Sequence, residues 1–135
     1  MIAVEEDLTV TLESGKITVF GPTFSEESNE NSLCILFEGE NCAILVTGDR
    51  SWMGERMLMQ DHHLPEVDLL IAGHHGSINS TSEALLNAVS PETVFISVGK
   101  SNAYGHPAPE LMQRLEVFGC TVYRTDLHGN LIFRR

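Results

Sequence analysis

The stretch "VDLLIAGHHGSINSTSEALL", residues 67–86, decides the fold. An apolar run ends on Ala72-Gly73, two histidines follow, and a serine-rich stretch opens a segment with helical spacing of leucines. That order reads as buried strand, polar turn and helix, the unit of layered α/β proteins. Ser80 and Glu83 have the spacing of a capping box, Leu85, Leu86 and Val89 share one helical face, and Pro91 stops the helix.

The alternation continues on both sides. Upstream, "SWMGERMLMQ" (51–60) predicts a short helix with Trp52, Met53, Met57 and Leu58 turned inward, weakened by Gly54. Before it, "LCILFE" (33–38) and "NCAILVT" (41–47) form a hairpin around Gly39-Glu40. Ahead of these, "LTVTL" (8–12) and "KITVF" (16–20) turn through Glu13-Ser14-Gly15. Strands 33–38 and 41–47 are so apolar that both their faces are expected to be covered. Strand 66–73 ends at the histidines. Downstream come a strand at 93–99 and a helix at 107–119, with Pro107 and Pro109 in its first turn. That helix turns Leu111, Leu115 and Phe118 to the core and ends at Gly119. Two last strands, 121–125 and 131–135, flank a turn at Asp126–Gly129. The predicted order is ββββαβαβαββ, an α/β (α+β) arrangement in one domain spanning 1–135, without repeat or linker.

Composition narrows the chemistry. A chain of 135 residues, 42% apolar and 20% charged, has the size and make-up of one globular domain. No apolar run approaches the roughly 18 residues of a membrane span. The N-terminus lacks the basic and apolar regions of a secretory signal, so no leader is expected. A net charge of -11 does not suggest passive binding to a phosphate backbone, which needs Lys and Arg to displace counterions. It is compatible with a phosphoesterase whose divalent cations supply the local positive charge. Cys34, Cys42 and Cys120 show no C-x-x-C spacing and are expected to be buried free thiols.

Polar groups follow three of the strands: Asp49 after "ILVTG", His74-His75 after "LLIAG", and "SNAYGHP" (101–107) after "VFISVG". Loops at strand ends are where α/β proteins assemble sites, so the three are expected at one sheet edge. Carboxylate with imidazole suits Zn, Mn or Fe. Each group also has a structural alternative. Asp49 could cap the helix at 51, His74 could be satisfied by backbone, and His106 could be a rigid turn residue before Pro107. His62-His63 read as a solvated loop, and Asp126 with His128 as turn chemistry.

"LVTGDR", the "GHHGS" region and "VFISVGKSNAYGHPAPELMQRLEVFGCTVYRTDLHGNLIF" together resemble the metallo-β-lactamase superfamily, in its ComEC-type competence branch. The resemblance covers nearly the whole chain. It implies the C-terminal half of an αββα sandwich, belonging to the non-channel part of a bacterial DNA-uptake membrane protein; the cellular side is left open, an extracytoplasmic domain being one option. It further implies that Asp49 bridges two divalent metal ions (Zn or Mn), and that His74, with His75 beside it, is a later ligand. His106 is implied to be a catalytic, phosphate-facing residue, with His75, Ser77, Asn102 and Tyr104 meeting substrate. Asn31-Ser32 fall where many members carry another histidine. The H-x-H-x-D-H signature, which supplies most ligands, does not occur, and the chain reads as beginning after it.

Two functions follow from the resemblance. The first is the C-terminal part of a metal-dependent hydrolase acting on DNA or another phosphodiester, inactive as an isolated chain. The second is a non-catalytic half-domain that forms a homodimer or docks with a partner supplying the missing N-terminal half. Neither requires membrane contact by this segment.

Overall fold

Seven strands form one sheet in the computed structural model, which describes residues 6–22 and 28–134. They lie side by side in chain order: β1 (Leu8–Leu12), β2 (Gly15–Phe20), β3 (Cys34–Gly39), β4 (Ala43–Val46), β5 (Leu69–Ile71), β6 (Thr93–Ile96) and β7 (Thr121–Arg124). β1 to β4 form an antiparallel meander, and β4 to β7 run parallel. Parallel neighbours need crossovers, which are α1 (Trp52–Asp61), α2 (Glu83–Val89) and α3 (Pro109–Phe118). Right-handed crossovers that always advance in one direction put every helix on the same face of the sheet.

Register makes the two faces explicit. Thr9, Thr18, Leu36, Leu45, Leu70, Val94 and Val122 stand in one row across all seven strands, and its central members are buried under the helices. Leu85, Leu86 and Val89 of α2 and Leu111 and Leu115 of α3 complete that core. The next row, on the opposite face, is Leu8, Val19, Ile35, Val46, Ile71, Phe95 and Tyr123. It carries no charge, and Leu8, Ile35 and Tyr123 are exposed. The expectation that both strand faces are covered therefore holds for one face only. The second is an apolar sheet surface open to solvent among the described residues.

Several local expectations are also corrected. α1 turns Gly54, Glu55 and Leu58 inward and leaves Trp52 and Met53 about half exposed. Its close approach is set by Gly54, where a Cβ would stand 2.2 Å from Glu30 Oε2 and 3.1 Å from Arg50 Cβ. α2 is capped by Ser82, which accepts from the Leu85 N–H, while Ser80 donates to Gly73 O instead. Pro107 precedes α3 and only Pro109 enters its first turn. β5 and β6 are shorter than read, because the chain leaves the ladder to build the polar edge.

The last expected strand is absent over residues 131–134, and Arg135 lies outside the described residues. After β7 the chain makes a short helix, α4 (Thr125–His128), anchored where Thr125 Oγ1 accepts from Val98 N and donates to Val98 O, both at 2.8 Å. Phe133 then reaches the open face and meets Phe95 edge-on, with ring centres 6.3 Å apart. An apolar side chain gains more there than on the outer edge of β7.

The three cysteines are free. Cys34 is buried, and burial pushes its thiol up to about 12. Cys42 and Cys120 are half-buried.

Candidate functional site

The double histidine sits on a 3-10 turn, Gly73–Gly76, directly after β5. Both imidazole-bearing residues are left-handed: His74 has φ 48° and His75 φ 56°. Such a conformation costs a non-glycine residue about 1–2 kcal/mol, so the turn must be held from outside. The His74 N–H donates to Gly48 O at 3.0 Å, tying the turn to the loop that carries Asp49. Gly73 N donates to Thr81 Oγ1 at 3.0 Å, and Ser80 Oγ donates to Gly73 O at 2.8 Å. On the far side Ala108 N donates to Gly76 O at 2.8 Å. Gly76 has φ +86°, and a Cβ there would lie 2.6 Å from Pro107 Cβ. The turn is thus wedged between the Asp49 loop and the His106 loop.

All three strand-end loops meet at this edge. The His74 and His106 rings are 6.0 Å apart, and those of His74 and His75 6.4 Å. His75 Nδ1 lies 2.8 Å from Ser97 O. A carbonyl can only accept, so Nδ1 is the donor, and in the neutral ring the lone pair is left on Nε2. Burial, then the neighbouring His74 and His75, hold His106 below the usual imidazole range. Its Nδ1 and the hydroxyl of Thr47 are buried without a hydrogen-bond partner among the described residues. Tyr104 is 83% exposed and stacks on His106, with ring centres 6.0 Å apart. Ser77 is buried, its hydroxyl accepting from Asn79 N. Asp49 is half-buried and does not cap α1, since Ser51 accepts from Met53 N in that role. Ser32 packs against Gly48, where a glycine Cβ would meet Ser32 Cβ at 3.0 Å, so it borders the Asp49 loop.

Sequence reasoning missed the charged groups that brace this edge. Glu55 is fully buried and accepts from the N–H groups of Thr81 and Ser82. Arg114 of α3 donates to the carbonyls of Ser80 and Thr81 at 3.0 Å each and of Ile78 at 3.3 Å. One loop is therefore gripped through its N–H groups by α1 and through its carbonyls by α3. Arg50, 1% exposed, ties Ser32 O and Gly21 O beneath the Asp49 loop. The sequence hinted at Arg50 only through its position beside Asp49.

The polar residues elsewhere are structural. His62 packs on Phe20 and lies 3.5 Å from the Asp7 carboxylate, so it is not simply solvated; His63 is exposed. Asp126 pairs with Arg124 through two hydrogen bonds, and His128 Nδ1 lies 3.0 Å from both the N–H and the carbonyl oxygen of Arg124.

Carboxylate and imidazole are the right donors for a hydrolytic metal, but such a centre needs about three protein ligands. Among the described residues no group of three or more His, Cys, Asp or Glu converges as ligands would. The residues present at this edge do not by themselves make a whole metal centre among the described residues. No helix among the described residues is long and apolar enough to cross a membrane.

Comparison with known proteins places these features in context. The chain is 36% identical over 106 residues to ComE operon protein 3 of Bacillus subtilis (strain 168). It is 39% identical over 108 residues to competence protein ComA of Neisseria gonorrhoeae, and 35% over 103 residues to Recombination protein 2 of Haemophilus influenzae. The matches take in 78%, 79% and 76% of this chain but only 14%, 16% and 13% of those proteins. Among solved structures, the diiron β-hydroxylase CmlA of Streptomyces venezuelae has a similar fold. Its TM-score is 0.57 at 12% identity, over 91% of this chain and 33% of that one. A Thermotoga maritima protein described as a Zn-dependent hydrolase of the metallo-β-lactamase superfamily matches with TM-score 0.46 at 12% identity, over 84% of this chain and 57% of that one. No protein-family model matches the sequence.

Proposed function

Because the chain belongs to the ComEC family of competence proteins, we propose that it forms one wall of a metal-dependent phosphodiesterase site acting on DNA during uptake, as its resemblance to the metallo-β-lactamase superfamily implies. The observation that carries this reading is the edge itself. Asp49, the left-handed histidine pair and His106 follow three neighbouring strands and are locked together backbone to backbone. Strain of this kind persists where function requires it.

In this reading Asp49, His74 and His75 are the ligands this chain contributes to a centre of divalent ions, Zn or Mn, two in the complete fold. Such ions supply Lewis acidity and a water of low pKa. His75 has the second hydrogen bond, from Nδ1 to a backbone carbonyl, that orients ligating imidazoles. His106, kept neutral by its surroundings, faces the phosphate, and Tyr104 shields it from one side. The remaining ligands come from whatever covers the open sheet face, so the chain alone is expected to be inactive.

Calorimetric titration with Mn²⁺ or Zn²⁺ tests the assignment. Affinity should be micromolar at best and lost in Asp49→Ala. Nanomolar affinity would show that further ligands exist in this chain, with His62, His63 and His128 first in line. Binding unaffected by Asp49→Ala would remove Asp49 from the site.

A second reading rests on the uncovered apolar row from Leu8 to Tyr123. On it the chain is a non-catalytic half-domain whose open face pairs with a second copy or a complementary half.

A further inference from the structure

We propose that Asn102 is a positioning residue that sets His106, and not a residue that touches substrate. A side-chain amide offers two N–H donors and two oxygen lone pairs. In Asn102 all four are in use. Nδ2 donates to Gly99 O at 3.1 Å and to His106 O at 2.6 Å. Oδ1 accepts from Tyr104 N at 3.1 Å and from His106 N at 3.0 Å. Both backbone polar groups of His106 are therefore held by one side chain, which has nothing left to offer a ligand.

The loop needs such a brace. It leaves β6 through Gly99 and places Ser101 at φ 57° and Gly105 at φ 71°. A Cβ at Gly99 or Gly105 would meet nothing within 4 Å, so packing does little to fix the path. Among the described residues, the side-chain hydrogen bonds within residues 99–106 all run through the Asn102 amide. The brace acts on the ring through the backbone: with the N–H and carbonyl of His106 fixed, its imidazole stands between Tyr104 and His74. Asn102 is thus the counterpart, for the third loop, of Glu55 and Arg114 for the loop behind the double histidine.

The inference rests on the proposed function only for what His106 does, so it is tested on metal-free protein, where a failure of the phosphodiesterase reading has no effect. The measurement is the set of ¹⁵N-histidine imidazole resonances, together with amide exchange at His106, in wild type, Asn102→Ala and Asn102→Asp. In Asn102→Ala the His106 and His74 ring signals should move, while those of His62, His63 and His128 stay. The His106 amide should exchange about tenfold faster, the ~1.4 kcal/mol expected for losing one well-made hydrogen bond. Asn102→Asp keeps both acceptor bonds and loses both donor bonds. It should protect the His106 amide as wild type does and still move the His106 ring, because the carbonyl is released. If Asn102→Ala fails to fold, the aspartate variant decides alone. A His106 ring signal unchanged in a folded variant would overturn the proposal and return Asn102 to the set of substrate contacts.

Discussion

At the scale of single residues, Glu55 is the most consequential group that the sequence hides. Burial raises its pKa above the ordinary 4.5, against the pull of its bonds to Ser82 and Thr81 and of the Arg114 charge. A raised acid binds its proton more tightly in the folded state, so its contribution to stability falls as pH climbs from 4.5 through the raised value. Glu55→Gln cannot titrate. The stability advantage of wild type over this variant should therefore shrink between acid and neutral pH, measured by urea unfolding across that range. An advantage that grows with pH would mean that the two N–H donors and Arg114 outweigh burial. Asp49, His74, His75 and His106 could be singled out from sequence because each interrupts apolar text just past a strand. Glu55 could not, since its partners lie 26 and 27 positions away and only the packing of α1 on α2 brings them together.

At the scale of elements, the double-histidine turn is the strained component, and Gly76 tests it. Alanine there must adopt a left-handed backbone and push into Pro107, at a cost of about 2 kcal/mol or more. Gly119 ends α3 with φ +89° and open space around it, so Gly119→Ala should cost only about 1 kcal/mol. Thermal melts of the two variants compare the terms. Equal shifts would mean that the Pro107 contact relaxes freely. The strands, the inward leucines of α2 and α3 and the glycine stop of α3 were legible because periodicity records burial directly. The inward face of α1 was legible only at Leu58. Gly54 and Glu55 form the rest of it for reasons of close approach and cross-chain hydrogen bonding, which hydrophobic spacing does not encode.

At the scale of the molecule, the uncharged row from Leu8 to Tyr123 is the surface through which association is expected. Its exposed members keep roughly two fifths of their surface in water, Leu8 45% and Ile35 39%. Finishing their burial is worth about 1 kcal/mol each, and a two-fold pairing of the face would bury several at once. Sedimentation equilibrium should find a homodimer or larger assembly at micromolar concentration, with Ile35→Glu shifted towards monomer and still folded. A well-folded wild-type monomer would mean that the open face is tolerated in water, as patches on some monomers are.

The sequence by itself determined the α/β class, the order of all but the last element, the three loops that carry polar groups, and the family. Those features are written in local spacing and short motifs. Tertiary structure decided which face of the sheet is covered, because the central strands are apolar on both faces while crossover handedness puts α1, α2 and α3 on one. It decided that Asp49 is free of capping duty, since Ser51 sits nearer the first helical N–H groups. It also decided that residues 131–134 turn onto the open face, where Phe133 finds Phe95. Each of these depends on which distant surfaces meet, and no local pattern carries that information.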